Sequence, residues 1–313
     1  MTLKTFAAVS LIALSLAGGA IAAEPASCKT VRFSDVGWTD ITATTGLASR
    51  VLTGLGYTPK AEVLSVPVTY TSMKNKDIDV FLGNWMPTME ADRKPYVEDK
   101  SIEVLDANLE GAKYTLAVLQ TTYDAGLKTF ADIVKFKDKL KGKIVGIEPG
   151  NDGNRLILDM IKDDKFGLKG WELVESSEQG MIAEVERASR KKEHVVFLGW
   201  EPHPMNTKFK MKYLEGGDDV FGPNLGGATI YTNVRTGYTT ECPNVGQLVK
   251  NLKFSLKMEN EVMGLILDEG LDGPKAAEKW LKKNPAVLDA WLKNVTTIDG
   301  KPGLPAVKKS LGL

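Results

Sequence analysis

Residues 80–87 read Val-Phe-Leu-Gly-Asn-Trp-Met-Pro, and residues 196–202 repeat the pattern as Val-Phe-Leu-Gly-Trp-Glu-Pro. Each copy is an apolar run that ends at a glycine and then presents a tryptophan. A second pair of motifs repeats with it, because Asn-Leu-Glu-Gly-Ala at residues 108–112 returns as Asn-Leu-Gly-Gly-Ala at residues 224–228. Both pairs are 116 positions apart. One shared offset over two separated motifs indicates that the chain contains a duplicated unit.

Each copy of the unit alternates short apolar runs with segments of helical pattern, which is typical of βαβ units around a mainly parallel sheet. The chain, at 313 residues, also exceeds what one compact core usually holds. The predicted fold class is therefore α/β with two similar lobes, each a mainly parallel sheet flanked by helices. The predicted strands are 30–34, 61–68, 78–82, 143–147, 171–174 and 194–198, and the predicted helices are 39–55, 152–162 and 179–191.

Two β-rich segments, residues 112–118 and 228–234, close the two copies, and each follows a glycine turn. In a two-lobe protein built from a duplicated unit, such strands are natural crossings from one lobe to the other. We therefore expect a discontinuous lobe A, residues 27–112 plus 231–313, and a lobe B, residues 113–230.

The first 23 residues have the features of a cleaved export signal: Lys4 near the start, an apolar run over residues 6–16, and small residues up to Ala23. The apolar run is about 11 residues long, well short of the roughly 20 that a membrane-spanning helix needs. Cys28 follows Pro-Ala-Ser and not the residues that a lipoprotein signal places before its cysteine. We therefore interpret residues 1–23 as a signal peptide and expect a free periplasmic protein without a lipid anchor.

The composition makes some partners and sites poor candidates. Forty basic residues balance forty acidic ones, and the sequence has no basic stripe, so nucleic acid is not expected to bind. The two cysteines, Cys28 and Cys242, favour a disulfide over two buried thiols if the chain is exported to an oxidising compartment. The two histidines, His194 and His203, form no metal-binding pair in the sequence. We expect a monomer without a metal or another cofactor.

Three tryptophans lie where predicted strands end: Trp38, Trp85 and Trp200. Ligands collect at the carboxyl ends of strands in open α/β sheets. Packing in the core or between lobes remains an alternative for each tryptophan taken singly. Several electron-rich ring faces around one cleft suit a soft cation such as a quaternary ammonium. Tyr114, on a predicted crossing strand, is the candidate for a fourth ring, and an ordinary strand aromatic is its alternative role.

Four polar residues near these tryptophans are further candidates. Asp40 would place a negative charge beside the cation, although an N-cap for the following helix is an equal alternative. Asn151 occupies in the second copy the position of Trp38 in the first, and an amide there can bond a hydroxyl or a carboxylate. Asp152 also precedes a helix, and His203 follows Trp200 closely, so we place both around the site and not in contact with the ligand.

The motifs around these residues carry a resemblance that extends over essentially the whole mature chain. The sequence resembles the substrate-binding proteins of ABC importers for glycine betaine, carnitine and choline. The most specific matching segments are Gly37-Trp38-Thr39-Asp40, Gly83-Asn84-Trp85-Met86-Pro87, Gly150-Asn151-Asp152 and Gly199-Trp200-Glu201-Pro202-His203-Pro204.

The resemblance implies a two-lobe, type II periplasmic binding-protein fold with two interlobe crossings and an ABC permease as partner. It also implies that Cys28 and Cys242 form a disulfide. For the site it implies an aromatic box for a trimethylammonium group, a carboxylate facing the cation and an amide on a ligand hydroxyl. Those roles fall on Trp38, Trp85, Trp200 and Tyr114 for the box, on Asp40 for the carboxylate and on Asn151 for the amide.

The charge of the candidate residues favours choline over betaines. Glycine betaine carries a carboxylate, and the strand-end motifs contain Asp40 but no Arg or Lys to bind it. The helix that starts after Asn151 has the opposite effect, because a helix N-terminus attracts anions. We judge the full charge of Asp40 to be the stronger effect and predict choline, with acetylcholine and weaker betaines as further ligands. The alternatives are a glycine betaine or proline betaine binder, or a periplasmic enzyme acting on a choline ester, for which no catalytic residue is apparent.

Overall fold

The computed structural model describes residues 24–313, and the predicted signal peptide at residues 1–23 lies outside them. No helix in the described range combines the length and apolarity needed to cross a membrane. The strands within residues 24–313 are β1 (Thr30–Asp35), β2 (Thr58–Val63), β3 (Val80–Met86), β4 (Ile102–Leu119), β5 (Lys143–Val145), β6 (Glu172–Val174), β7 (Val196–Glu201), β8 (Met211–Tyr213) and β9 (Gly227–Arg235).

Helices surround these strands. The α-helices are α1 (Thr39–Gly54), α2 (Val66–Lys74), α3 (Glu90–Glu98), α4 (Gln120–Asp124), α5 (Lys137–Leu140), α6 (Asp152–Lys162), α7 (Glu178–Lys191), α8 (Met205–Lys208), α9 (Asp218–Phe221), α10 (Pro223–Gly226), α11 (Tyr238–Glu241), α12 (Pro243–Asn251), α13 (Leu256–Leu267), α14 (Gly273–Lys283), α15 (Val287–Trp291) and α16 (Gly303–Leu311). Short 3-10 helices lie at Ala26–Lys29, Phe130–Phe136 and Lys165–Gly167.

The strands form one hydrogen-bonded sheet with two similar halves. Its order is β2-β1-β3-β9-β4-β7-β5-β6, and β8 adds to β4. The outer pairs on each side are parallel, whereas β9 and β4 in the middle pair antiparallel with each other and with β3 and β7. We call the side with β1 the first half and the side with β5 the second half. The predicted α/β class is confirmed, with β4 and β9 as the two crossings.

The repeated motif supplies β3 and β7, the innermost strand of each half. Nearly every residue of both strands is buried. Such burial on both faces explains why their sequences are continuous apolar runs without alternation. Both strands continue through the tryptophan, so Trp85 and Trp200 are strand residues and not loop residues as the sequence suggested.

The predicted strand at residues 61–68 is shifted in the structure. The strand β2 is Thr58–Val63, an edge strand whose side chains are mostly exposed, and α2 already begins at Val66. Pro67 lies in the first turn of α2, where a missing N–H costs nothing because it would have no helical partner. The apolar Val-Pro-Val run therefore starts a helix, although by composition alone it resembles a strand.

Helices α13, α14 and α16 near the carboxyl terminus pack against α1. Helix α14 crosses α1 at two glycines, and a Cβ atom on Gly46 would lie 2.5 Å from the carbonyl carbon of Gly273. Only a residue without a side chain permits this backbone approach. The contact fixes α1, the helix whose amino terminus carries Trp38 and Asp40.

A disulfide joins Cys28 and Cys242, as the sequence predicts. It connects the short helix before β1 to the residue between α11 and α12, with the two Cα atoms 5.6 Å apart and 214 positions apart in the chain. The described residues contain no free cysteine.

We expect the double substitution Cys28→Ser with Cys242→Ser to lower the free energy of unfolding by about 2–5 kcal/mol, because the bridge restricts a very long loop in the unfolded chain. Urea unfolding followed by circular dichroism measures the loss. Wild-type protein treated with a reducing agent is the matched control and should lose the same amount. An unchanged unfolding midpoint in both samples would contradict the prediction.

Candidate functional site

A small cavity lies between the two halves, at the carboxyl ends of their strands. It brings together residues that are far apart in the sequence. Its walls are formed by Trp38, Asp40, Trp85, Tyr114, Ile147, Asp152 and Trp200. Five of the six residues predicted to bind the ligand are therefore in the wall.

Three residues differ from the sequence-based placement. Asp152, which we had placed behind the wall, is part of it, whereas Asn151 is not a lining residue and instead bonds to two of them, Tyr114 and Asp152. Ile147 was not predicted. It lies two residues after the end of β5. Nothing in the sequence distinguishes its aliphatic side chain from that of a core residue.

The aromatic residues surround the cavity from both halves. Tyr114 on β4 is paired in register with Trp200 on β7, and their ring centroids are 6.3 Å apart at an interplanar angle of 83°. The Tyr114 ring is 6.0 Å from the Trp85 ring at an angle of 65°. These edge-to-face contacts hold the rings at steep angles to one another, and all three residues are buried. Aromatic faces arranged in this way attract a cation placed between them.

Two of the tryptophans direct their polar edges to carboxylates. The indole Nε1 of Trp38, at the N-cap of α1, donates to Glu148 Oε1 at 2.8 Å across the cleft. The indole Nε1 of Trp85 donates to Asp40 Oδ2 at 3.2 Å. A buried indole N–H needs such a partner. Each bond also fixes the rotation of its ring, so the carboxylates orient the box.

Asp40 carries the least compensated charge of the site. Its side chain is buried, and its Oδ1 atom has no hydrogen-bond partner among residues 24–313. Burial, with the nearby carboxylate of Glu178 as a second cause, raises the pKa of Asp40 to about 8. The N-cap position of α1 is occupied by Trp38, so the alternative role of Asp40 as an N-cap is wrong. A buried carboxylate in this condition is stabilised by a cation.

Asn151 positions two residues of the cavity wall, Tyr114 and Asp152. Its Oδ1 caps α6 by accepting from the Asn154 backbone N–H at 3.1 Å, and it also accepts from the Tyr114 hydroxyl at 2.8 Å. Its Nδ2 donates to Asp152 Oδ1 at 3.3 Å and carries a second hydrogen. The capping role that the sequence left open is therefore realised, and the same amide positions an aromatic ring of the box.

The Tyr114 ring lies directly against the first turn of α6. A Cβ atom on Gly153 would lie 2.0 Å from the Tyr114 hydroxyl oxygen. Burial raises the pKa of Tyr114 well above its ordinary value, so the hydroxyl keeps its proton and donates to Asn151. Gly153 is thus required for the ring to reach the cavity.

Asp152 is the second acidic residue of the wall, after Asp40. The Oδ2 atom of Asp152 is buried and has no partner within residues 24–313, and burial raises the pKa of this residue to about 6. Burial likewise raises the pKa of Glu148, behind Trp38, to about 7. In the described part of the chain, the wall contains no Lys or Arg. The arrangement can neutralise a cation but offers no fixed positive charge to an anion.

His203 lies behind Trp200 and is not a lining residue of the cavity. Its ring packs against Trp200 at a centroid distance of 4.9 Å, and its Nδ1 accepts from the Met205 backbone N–H at 2.9 Å. Its Nε2 lies 3.1 Å from Glu178 Oε1. Glu148 and Glu178 are the polar residues of the site that sequence reasoning missed.

Comparisons with known proteins agree with this geometry. The family model described as the substrate binding domain of ABC-type glycine betaine transport system matches residues 29–283. A solved ABC-transporter choline binding protein in complex with choline is 66% identical and has a TM-score of 0.91, covering 92% of this chain and 100% of that chain. A structure in an unliganded semi-closed conformation, with the same identity and coverage, has a TM-score of 0.85.

A curated relative is more distant. The glycine betaine/carnitine transport binding protein GbuC of Listeria monocytogenes is 32% identical over 190 residues, a match that spans 60% of each chain. These relatives are binding components of transporters, so the expectation of a binding protein with a type II fold is confirmed over that of an enzyme. The chain belongs to the family of substrate-binding domains of ABC-type glycine betaine transport systems.

Proposed function

We propose that this protein binds choline between two closing lobes and delivers it to the permease of an ABC importer. The observation that carries the proposal is the cavity in which four aromatic rings surround a space beside the unpartnered Oδ1 of Asp40. The choline complex of the 66% identical structure supports the same ligand.

The box suits the trimethylammonium group of choline. Its charge lies behind methyl groups, which cannot donate strong hydrogen bonds but pack well on Trp38, Trp85 and Trp200. Each ring face contributes on the order of 0.5–2 kcal/mol when water is excluded. Four rings contribute about 2–8 kcal/mol, which with the carboxylate of Asp40 is much of the roughly 8 kcal/mol that micromolar affinity requires.

The hydroxyl end of choline fits the opposite wall. The buried Oδ2 of Asp152 can accept the hydroxyl hydrogen, and the second N–H of Asn151 can donate to the hydroxyl oxygen. A carboxylate in the same place would face Asp152 without a Lys or Arg in the wall. The amino terminus of α6 does not reverse this preference, because Asn151 caps it and Asp152 occupies its first turn.

The lobes follow the two halves of the sheet. We take lobe A as residues 27–112 plus 231–313 and lobe B as residues 113–230, joined by β4 and β9. Trp38 and Trp85 then approach the ligand from lobe A and Trp200 from lobe B, so the closed form contacts choline on both sides. The proposal further includes a periplasmic monomer exported by residues 1–23 and acetylcholine as a weaker ligand.

Isothermal titration calorimetry tests the proposed function. We expect choline to bind with a Kd in the micromolar range or below, acetylcholine to bind more weakly, and glycine betaine, proline betaine and carnitine to bind much more weakly. Mass spectrometry of choline recovered after incubation should show it unchanged. Tighter binding of glycine betaine than of choline would overturn the assignment.

We expect Trp200→Ala to weaken choline binding at least about tenfold, because it removes one ring face and admits water to the box. Trp200→Phe keeps an aromatic face and should retain most of the affinity, which makes it the matched control. Thermal unfolding of both variants establishes that the fold is intact. An unchanged affinity of the alanine variant would remove Trp200 from the site.

The raised pKa values of Asp40 and Asp152 predict that choline binding releases protons. A bound cation favours the ionised carboxylates, so the affinity should rise with pH through about 6 to 8 and level off above that range. The ligand-free folded state holds more protons than the unfolded state in this window, so its stability should fall as the pH rises. Calorimetry in buffers of different ionisation enthalpy counts the protons, and a pH-independent Kd would contradict the assignment. Asp40→Asn should flatten the profile.

A further inference from the structure

A buried hydrogen-bond network crosses the cleft behind the box. Glu178, at the start of α7 in the second half, is 2% exposed. Its Oε2 accepts from the backbone N–H of Thr39 at 2.8 Å, and its Oε1 accepts from the Thr39 hydroxyl at 2.5 Å. Thr39 is the first residue of α1 in the first half, and the two residues are 139 positions apart. One carboxylate thus joins the two halves.

The contact with Glu178 caps the amino terminus of α1, whose own N-cap residue makes no capping bond. Trp38 occupies the N-cap position of this 16-residue helix, and no side-chain bond caps the helix. Free N–H groups and the helix dipole at an amino terminus favour a negative charge. Glu178 supplies both an acceptor and that charge from across the cleft, so the cap exists only when the two halves are together.

The network is connected to the box at both ends. On the second half, His203 Nε2 lies 3.1 Å from Glu178 Oε1, and the His203 ring packs against Trp200. On the first half, Thr39 stands between Trp38 and Asp40 in the chain. Glu178 itself is not part of the cavity wall. Its contacts therefore position three wall residues without touching the ligand.

We propose that Glu178 is a positioning residue that latches the lobes through Thr39 when they close on the ligand. The proposal rests on the proposed function and deepens it. The network stabilises the closed form by capping α1 from the opposite half. Removal of the latch should raise the dissociation rate of the ligand and change its association rate much less.

Stopped-flow tryptophan fluorescence with choline tests the latch. We expect Glu178→Ala to raise the dissociation rate at least about tenfold, since hydrogen bonds to a charged group are lost. The association rate should change little. Thr39→Val removes the hydroxyl bond alone and should have a smaller effect. The double variant should match Glu178→Ala and not the product of the two single effects, because both changes act on one interaction.

Two further variants separate the latch from general destabilisation. Glu178→Gln keeps one acceptor and should dissociate at an intermediate rate. Glu184→Ala removes a carboxylate from the same helix at a partly exposed pair with Arg187, and it should leave the choline kinetics unchanged. Small-angle X-ray scattering at saturating choline should show less contraction for Glu178→Ala than for wild type, and thermal unfolding establishes that each variant is folded.

The outcomes for the two proposals are distinct. A wild type that binds choline, with wild-type dissociation and contraction in folded Glu178→Ala, would overturn the latch and leave the proposed function intact. Multiplicative effects of Glu178→Ala and Thr39→Val would also overturn it. Absence of choline binding by the wild type would overturn the proposed function and the latch that rests on it.

Discussion

The burial of Asp40 is the constraint on which the site depends. A carboxylate removed from water is unfavourable unless a proton, a donor or a cation compensates it. Trp85 satisfies one oxygen only, and the wall provides no basic residue. The fold therefore holds a carboxyl group whose ionised form a cation would stabilise, and the tight packing of α1 against α14 keeps that group in place. This arrangement favours a cation over an anion even without the contribution of the aromatic rings.

The duplicated architecture builds the aromatic box from both halves of the sheet. Because β3 and β7 are equivalent strands, their tryptophans reach the same level of the sheet from opposite halves. Tyr114, on the crossing strand β4, lies between them and contacts both rings. The two halves differ in the residues that they place at the site: Trp38 and Asp40 on the first half, and Asn151 and Asp152 on the second.

The repeat and the strand ends were sufficient to predict the fold class, the crossings and most of the wall, because those features follow from local pattern. Glu148 and Glu178 could not be predicted in this way. Their partners, Trp38 and Thr39, lie 110 and 139 positions away, and each pair forms only when the two halves meet. Residues 61–68 were misassigned because an apolar run gives the same signal in a strand and at the start of a helix. Asp152 was predicted to lie behind the wall but is part of it, because the first turn of α6 determines which side chain points into the cavity.

The disulfide between Cys28 and Cys242 has a consequence for the order in which the molecule is assembled. Its two ends are separated by 214 positions, and all the strands of the second half lie within the loop that it closes. Cys242 follows β9 in the chain, so the bond can form only after β1 to β9 are all present. Helices α12 to α16 come after Cys242, and the bond therefore ties the start of β1 to the point where this last helical part of the first half begins.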